Sequence, residues 1–358
     1  MRFPEFTEEW ESVLLEDVAE FQKKRISSDL LNNSNYISTE NILQNFGGVQ
    51  NSISIPANTN VIEYQRGDVL LSNIRPYLKK VWLSDRHGGC SADVFVLRGN
   101  QCERRFLYYV IASDRFINFV MSGAKGVKMP RGDKSQMEKF TFFIPTNVEQ
   151  KKIAMFLSML DERIRLQNKI IEKLETLIKG IRNNIISKIK GDCITLQDIA
   201  DIYQPQTIAS TDLTEDGYLV YGANGIIGKY RSFNHEKEQI CITCRGNTCG
   251  TVNFTEPKSW ITGNAMVINT DNYAKNVNKR YLFHYLSSIN FNSIISGSGQ
   301  PQIVRQPLAK LKLILPVLII QNRIAECLDA MFAKMKNEQS FLQILQIQKS
   351  CLLSQMFI

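Results

Sequence analysis

Side chains suited to chemistry are concentrated in basic, glycine-containing loops in both halves of the chain. The first half has arginine, lysine and tyrosine in residues 73–81 and 123–134; the second adds asparagine and glutamine in residues 223–233, 244–250 and 296–306. Arginine and the carboxamides hydrogen-bond base edges, and lysine neutralises phosphates. Ordinary solvated turns are the alternative interpretation. The candidate nucleic-acid contacts are Arg75, Tyr77, Lys79, Lys80, Lys125, Lys128, Arg131, Asn224, Lys229, Tyr230, Arg231, Arg245, Asn247, Gln300, Gln302 and Arg305.

Signatures of catalysis are missing or weak in this sequence. No GxGxxG follows a predicted strand, and residues 222–230 lack the spacing and the hydroxyl residue of a phosphate-binding GxxxxGK[ST] loop. There is no Pro-Pro dipeptide, which the Asn/Asp-Pro-Pro-aromatic loop of amino-methyltransferases requires. Glu149 and Lys151 form a nuclease-like ExK, but they stand at a predicted helix start, where chance explains the match. We therefore predict no catalytic residue.

Three cysteines have the spacing of metal ligands. Cys241, Cys244 and Cys249 lie close in sequence, with His235 nearby as a fourth donor. Positions 241 and 244 fall on a predicted strand, however, where residues three apart face opposite sides. The corresponding strand of the first half has no cysteine at these positions. Free thiols without a metal are the favoured interpretation.

The loops are set in a framework that the sequence contains twice. Three blocks return in the same order: 15–21 as 196–202, 105–113 as 280–288, and 144–157 as 315–328. Strands predicted at 68–74, 93–99 and 140–145 have partners at 239–244, 264–269 and 311–316. One helix is predicted in each half, at 105–121 and at 280–295. A duplicated chain of this kind folds into two similar units.

A long helix with an apolar seam is predicted after Pro145 and again after Pro316. Thr146 and Glu149 offer a capping box at the first helix start. Such seams are buried against another helix, so we expect the two helices to pair antiparallel; packing of each onto its own domain is the alternative. The predicted seam residues are Leu157, Leu160, Ile164, Ile171, Leu174, Ile178, Ile181, Ile185, Leu328, Met331, Met335, Leu342, Leu345 and Leu352.

The predicted fold class is α+β, with two similar mixed α/β domains, an internal pseudo-two-fold repeat and two long coiled-coil helices separating the domains. We place the globular domains at 1–147 and 191–318 and the helical spacers at 148–190 and 319–358. This arrangement gives one polypeptide the symmetry of a dimer.

The composition narrows the class of protein. The chain has 358 residues, 44% of them hydrophobic, and a formal net charge of +8. This length allows two domains, and a basic excess is compatible with a phosphate backbone as partner. No apolar run reaches the ~18 residues that span a bilayer, and residues 1–13 lack the apolar core of a signal peptide. The expected location is the cytoplasm.

Several segments resemble the specificity subunits of type I restriction–modification enzymes. The segment IPTNVEQKKIAMFLSMLDERI (144–164) resembles the central conserved region of that family. The segment LPVLIIQNRIAECLDAM (315–331) is similar to the distal conserved region, although Ile320 replaces the glutamate found at 149. Residues 126–134, 221–230 and 296–303 resemble recurring segments of the family's target recognition domains. The resemblance covers essentially the whole chain.

The resemblance implies a DNA-binding function without catalysis. Each domain would be a target recognition domain that reads one half of a bipartite sequence, and the paired helices would set the unread spacer. The chain would dock two modification (methyltransferase) subunits and restriction (translocase and nuclease) subunits. S-adenosylmethionine, ATP and Mg would be bound by those partners, and no cofactor by this chain. The alternatives are a coiled-coil adaptor without a DNA role and a stand-alone DNA-modifying enzyme.

Overall fold

The computed structural model of the chain describes residues 2–223, 225–297 and 299–357. The chain divides into two compact units: the first unit runs to Asn168 and also contains the chain from Phe341, and the second unit is Lys169–Ser340. Both combine small β-sheets with short helices and parts of two long helices. The predicted α+β class with two similar mixed units is confirmed. The predicted domain boundaries stay a prediction, because the division falls within both long helices.

Short strands and helices alternate in the first unit, where runs of aliphatic and aromatic residues are interrupted by glycine, proline and asparagine. Its strands are β1 Glu11–Leu14, β2 Ala19–Phe21, β3 Arg25–Ser27, β4 Tyr36–Ile37, β5 Asn60–Tyr64, β6 Val69–Ser72, β7 Val81–Leu83, β8 Gly88–Cys90, β9 Val94–Gly99 and β10 Thr141–Ile144. Its short helices are α1 Leu15–Val18, α2 Arg104–Ile111, α3 Asp114–Ser122 and α4 Lys134–Glu138. The long helix α5, Asn147–Lys188, follows β10.

The second unit has a comparable series of short elements. Its strands are β11 Asp192–Thr195, β12 Asp201–Tyr203, β13 Tyr218–Gly222, β14 Gly225–Tyr230, β15 Ile240–Thr243, β16 Val252–Phe254, β17 Trp260–Ile261, β18 Ala265–Asn269, β19 Ile295–Ser296, β20 Gln302–Ile303 and β21 Lys312–Leu315. Its short helices are α6 Lys279–Leu286 and α7 Arg305–Ala309. The long helix α8, Leu318–Met356, follows β21.

One four-stranded antiparallel sheet occurs in both units with the same connections. Its strand order is β2-β9-β6-β7 in the first unit and β12-β18-β15-β16 in the second. The inner strands β6 and β15 are buried along their whole length, which explains their continuous apolar sequences. The equivalent strands predicted from the repeat are observed: β6 of the first unit corresponds to β15 of the second, β9 to β18, and β10 to β21. The prediction of a duplicated framework is confirmed.

A second sheet differs between the two units. In the first unit it has the order β3-β5-β8-β4, and in the second it has three strands in the order β14-β13-β17. The segments that form these sheets are those that the repeat leaves unmatched. The variable part of the sequence thus builds a variable part of the fold.

An antiparallel strand pair closes each unit just before its long helix. Strand β1 pairs with β10, and Glu11 lies opposite Ile144. Strand β11 pairs with β21 in the same way, and Asp192 lies opposite Leu315. Each strand pair therefore brings the start of its globular region next to the start of the long helix.

The prediction of one helix over 105–121 is wrong, as is the length of the helix predicted over 280–295. The side chain of Ser113 accepts a hydrogen bond from the Phe116 amide at 3.2 Å, and this cap divides the segment into α2 and α3. In the second unit α6 ends at Leu286, and the Asn290 side chain accepts a bond from Asn292 at 2.9 Å to begin a separate 3₁₀ turn. Short polar side chains compete with helix continuation in this way.

The long helices pack on each other within the first unit. The Lys349 ammonium of α8 lies 2.5 Å from the Asp161 carboxylate of α5, and the Arg163 guanidinium of α5 lies over the Phe341 ring at 5.2 Å. Later residues of α5 therefore meet earlier residues of α8, which is the antiparallel direction. All the predicted seam residues are buried or partly buried, with Leu157 and Leu328 fully buried. Within the described residues, no helix is long and apolar enough to cross a membrane.

Candidate nucleic-acid interface

The fold brings the two basic loops of the first unit together. The Arg75 amide donates to the Pro130 carbonyl at 2.8 Å, and Ile74 forms an antiparallel bridge with Arg131. The Gly132 amide donates to the Asn73 carbonyl at 3.1 Å. Residues 73–80, which follow strand β6, and residues 123–134 therefore form one continuous surface.

Residues 125–131 form a small closed loop within this surface. Lys125 and Arg131 exchange two backbone hydrogen bonds of 3.0 and 2.9 Å, and Gly126 adopts the left-handed region with φ of +95°. The tip presents Lys128 and the fully exposed Val127 to solvent. A cationic side chain next to an apolar one suits a DNA groove, where phosphates and thymine methyl groups lie close together.

The turn after β6 is held in a strained backbone conformation. Arg75 and Lys79, on either side of the turn Pro76–Leu78, have φ of 51° and 53°. A non-glycine residue in this region costs on the order of 1–2 kcal/mol. The Arg75 amide bond to Pro130 and a 3.0 Å bond from the Phe46 amide to the Lys79 carbonyl hold the turn in place. Strain of this kind is concentrated at functional sites, which favours a binding role for the turn.

The loops of the second unit also converge. Arg245 forms an antiparallel bridge with Gln302, and the Gly246 amide donates to the Pro301 carbonyl at 3.0 Å. Thr243 and Thr248 both donate their hydroxyl hydrogens to the Ala223 carbonyl, which ties the loop after β13 to the same place. The candidate Asn224 lies outside the described residues. The loops that carry Arg245, Asn247, Gln300 and Gln302 therefore belong to one surface.

The two surfaces occupy equivalent positions in the repeat. The bridge between 74 and 131 and the bridge between 245 and 302 are related by a shift of 171 positions at both ends (74 to 245, 131 to 302). In both units the first partner follows the fully buried strand of the duplicated sheet, β6 or β15. The framework is thus equivalent, whereas the side chains that it presents differ.

Several predicted cations of the first unit are engaged within the protein. Lys79 pairs with Asp114 at 2.5 Å and Lys125 with Asp133 at 2.8 Å. Lys80 donates to the Thr39 carbonyl at 2.7 Å, and Arg131 lies 3.4 Å from the Asp93 carboxylate. The pair with Lys125 also lowers the pKa of Asp133. Lys80 is partly buried and positions the loop, whereas the exposed Lys125 and Arg131 can exchange their carboxylate partners for phosphate.

In the second unit, too, some of the predicted contact residues are engaged within the protein. Lys229 lies 3.6 Å from Asp216, and Arg305 donates to the Ile202 carbonyl at 2.7 Å. Arg231 lies over the Tyr230 ring at 5.8 Å, and that ring packs edge-on against Trp260. Arg305 and Tyr230 therefore support the local structure.

A smaller set of candidates has exposed side chains that no described residue engages by a hydrogen bond, an ion pair or a ring contact. The cations of this set are Arg75, Lys128 and Arg245. Tyr77, Asn247, Gln300 and Gln302 are exposed polar side chains of the same surfaces. An arginine that is not neutralised within the protein keeps its full capacity for base or phosphate contacts. These residues are the strongest candidates for direct contacts.

The cysteine cluster has no metal-site geometry in the described part of the chain. Cys241 and Cys244 are free and buried, and burial raises the pKa of Cys241 to about 12, which disfavours the thiolate that metals bind. His235 is bonded to Tyr203 and Asn234. These contacts account for both the thiols and the imidazole as parts of the interior.

The nuclease-like pair is also explained by packing. Glu149 is fully buried, and both of its oxygens accept hydrogen bonds from the Arg2 guanidinium, at 3.0 and 2.9 Å. Lys151 is exposed on α5. A carboxylate held in this way ties the N-terminal segment to the helix start, a structural role.

Helix α5 also carries an exposed apolar stripe that we did not predict from the sequence. Within the first unit its members are Met155, Met159 and Leu166, which recur at spacings of four and seven and are 47–62% exposed. Because the seam takes up another face, the helix has two apolar stripes, and the second is open to a partner. This spacing was visible in the sequence, but the stronger seam masked it.

The chain thus consists of two related mixed α/β units, each with a basic loop surface, and two long helices. The family model for the type I restriction modification DNA specificity domain matches residues 7–176 and again residues 192–346. The chain belongs to this family, and the predicted family resemblance is confirmed.

Curated relatives carry the same description. The chain is 28% identical over 169 residues to the Type I restriction enzyme EcoprrI specificity subunit of Escherichia coli, covering 46% of this chain and 41% of the relative. It is 22% identical over 135 residues to the EcoDI specificity subunit of Escherichia coli, covering 38% and 30%. The matched regions thus span less than half of either relative.

Solved structures show the same fold along nearly the whole chain. The S subunit of a type I restriction–modification system from M. genitalium superimposes with a TM-score of 0.68 at 17% identity, covering 98% of this chain and 96% of that chain. A chain from a structural study of type I R-M complex assembly and conformational transition gives 0.61 at 19% identity, covering 97% of each. At these identities the likeness concerns the fold alone.

Proposed function

We propose that this protein is the sequence-specific DNA-binding subunit of a type I restriction–modification enzyme and that each unit reads one half of a bipartite target. The observation that carries the proposal is the pair of equivalent loop bridges: Arg75 lies next to the first and Arg245 within the second, and no described residue forms an ion pair with either side chain. Equivalent frameworks with different side chains suit an asymmetric target, because one polypeptide then reads two different half-sites.

The chemistry of modification and cleavage belongs to partner subunits in this proposal. The chain itself is non-catalytic and recruits two methyltransferase subunits and the restriction subunits. S-adenosylmethionine, ATP and Mg bind to those partners. The burial of Glu149, Cys241 and Cys244 supports this division, because these candidate catalytic or metal-binding residues lie in the protein interior. The site of action is the cytoplasm, where the DNA is.

The exposed stripe on α5 is the proposed docking surface for a methyltransferase subunit. Met155 and Met159 are each 62% exposed and lie four residues apart, one above the other on the helix. Methionine is enriched at interfaces because its flexible side chain adapts to a partner. An apolar helix of the partner, laid along this stripe, would bury it.

The long helices are the proposed spacer element. A helix rises about 1.5 Å per residue, so paired helices of this length are stiff over several base pairs, whereas a flexible linker is not. Stiffness is needed because both units must reach their half-sites at one fixed separation along the duplex.

Salt-dependent DNA binding tests the proposed function against the two alternatives. The purified chain with its methyltransferase subunit is titrated with duplex DNA from a methylated host site at several salt concentrations. We expect log K to fall linearly with log salt, with a competitor of altered half-site sequence binding more weakly. Absence of binding would support the adaptor alternative. DNA cleavage or methylation by the isolated chain would support the enzyme alternative.

A further inference from the structure

A buried glutamine joins the start of α5 to the globular part of the first unit. Gln150 is 3% exposed. Its Nε2 donates to the Pro145 carbonyl at 2.8 Å, and its Oε1 accepts from the Glu103 amide at 2.8 Å. Glu103 is the N-cap of α2 and accepts a 2.7 Å bond from Phe106. One side chain thus connects Pro145, two residues before the long helix begins, with the cap of the neighbouring helix.

The second unit contains the same arrangement at the equivalent position. Gln321 is fully buried, its Nε2 donates to the Pro316 carbonyl at 2.8 Å, and its Oε1 accepts from the Asn278 amide at 2.8 Å. Asn278 is the N-cap of α6 and accepts a 2.9 Å bond from Tyr281. The Nε2 of Gln321 also donates to the Asn276 carbonyl at 2.9 Å.

The chemistry of this junction calls for a carboxamide. The side chain must donate to a carbonyl and accept from an amide at once, and it is buried. An ionised glutamate accepts only, and a methionine of similar size does neither. Substitution by either residue leaves a buried backbone group without its partner.

Each junction has a second attachment farther along its long helix. In the first unit the Tyr109 hydroxyl of α2 donates to Asp161 of α5 at 2.8 Å. In the second unit His284 of α6 lies 2.7 Å from Asp329 of α8, and Arg280 forks onto the same carboxylate. Two attachments, separated along both helices, fix the direction of one helix relative to the other, whereas a single attachment leaves a pivot.

We infer that Gln150 and Gln321 are positioning residues that fix the direction in which each long helix leaves its globular region, and that they thereby define the spacer between the half-sites. The inference rests on the proposed function, in which the long helices are the spacer element. It assigns to the two glutamines a role in target geometry that is separate from base reading by the loops.

The test uses the full chain with its methyltransferase subunit, expressed in a host without other N6-adenine methylation. The variants are Gln150→Glu, Gln150→Met and Gln321→Glu, and the matched control is Gln339→Glu at an exposed position of α8. Methyladenine is mapped across the host genome, which reports half-sites and spacer together. Thermal unfolding of each purified chain is recorded alongside.

We expect the wild type and the Gln339 variant to methylate sites with one spacer length. The junction variants should keep both half-site sequences and extend methylation to spacers one base pair shorter or longer, with the preference for the wild-type spacer reduced by about tenfold. A defect of folding alone would lower methylation at all sites without changing the spacer distribution.

An unchanged single spacer in every junction variant would overturn the inference. If a folded variant methylates no site, its binding to duplexes with spacers altered by one base pair decides: recovered binding on one of them supports the inference, and recovery on none overturns it. A wild-type complex that yields no bipartite motif would instead overturn the proposed function, and the inference with it.

Discussion

Arg245 and Gln302 form an antiparallel backbone bridge between two loops of the second unit, at the position where Ile74 and Arg131 form one in the first. The backbone geometry of the candidate interface is therefore duplicated, although the residues at equivalent positions differ: Ile74 corresponds to Arg245, and Arg131 to Gln302. A duplicated backbone with different side chains is what a protein needs to present two different readers on equivalent supports.

Removal of one unneutralised arginine should affect one half-site only. A bidentate arginine contact with guanine contributes about 1–3 kcal/mol of discrimination, so Arg75→Ala should weaken binding by roughly 5- to 150-fold and relax selectivity in the half-site read by the first unit. Arg245→Ala should do the same in the other half-site. Competition binding with duplexes mutated in one half-site at a time measures this.

The exposed Arg66→Ala, away from the loop bridges, is a matched control and should leave selectivity unchanged. Equal losses of selectivity at both half-sites in the Arg75 variant would contradict base reading and would assign the residue to phosphate contact or folding.

Lys128 should behave as a phosphate contact. It is exposed at the tip of the loop closed by Lys125 and Arg131, with no ion pair to a described residue. Lys128→Ala should weaken binding to all sequences equally and reduce the slope of log K against log salt by about one. Binding isotherms at several salt concentrations give the slope, and a loss confined to one sequence would argue against phosphate contact.

The exposed stripe on α5 should be required for assembly and not for folding. Met155→Lys and Met159→Lys each place a charge within the proposed interface, where burial without a partner is costly. We expect at least about tenfold weaker association with the methyltransferase subunit at an unchanged unfolding temperature. Glu172→Lys, exposed on the same helix, is the control. Wild-type affinity in both methionine variants would show that this subunit docks elsewhere.

His284 should make the stability of the second unit depend on pH. Burial lowers the pKa of His284, against the opposing effect of its hydrogen bond to Asp329. Although burial opposes it, hydrogen bonding from Arg280 and His284 lowers the pKa of Asp329. Arg280 and Arg182 also face the imidazole and oppose its protonation.

The sign of the effect follows from the lowered pKa. As pH falls through the ordinary histidine value of 6.5, the unfolded chain binds a proton that the folded chain does not, so the folded state loses stability. His284→Gln should reduce the loss of unfolding free energy between pH 7.5 and 5.5, conditions chosen to bracket about 6.5. Urea unfolding at both pH values measures it. The exposed His87→Gln is the control, and the same loss in the His284 variant as in the wild type would contradict the assignment.

The framework was predictable because it rests on periodic patterns. The fully buried strands β6 and β15 and the helices α5 and α8 have apolar runs or seams that one sequence repeat displays twice. The division of the segment 105–121 into two helices was missed because it depends on a single hydrogen bond from Phe116 to the Ser113 side chain. Patterns of hydrophobicity do not report such a local competition.

The residue types of the candidate site could be predicted from the sequence, but their arrangement in space could not. The basic loops were recognised from their residue types, yet the pairing of Arg75 with Pro130 depends on how strands distant in sequence are arranged. The separation of Lys80, which binds the Thr39 carbonyl, from the unengaged Arg75 likewise requires coordinates. In the sequence, Gln150 is recognisable only as part of a family motif. Its two hydrogen bonds show that it joins the start of α5 to the cap of α2.

The proposed function is best tested by a methyladenine map of a genome in a host that carries this chain and its methyltransferase subunit. We expect one bipartite motif with two different half-sites, a fixed unread spacer, and loss of selectivity in a single half-site when Arg245 is replaced by alanine. A contiguous motif, two identical half-sites, or methylation that does not depend on this chain would contradict it.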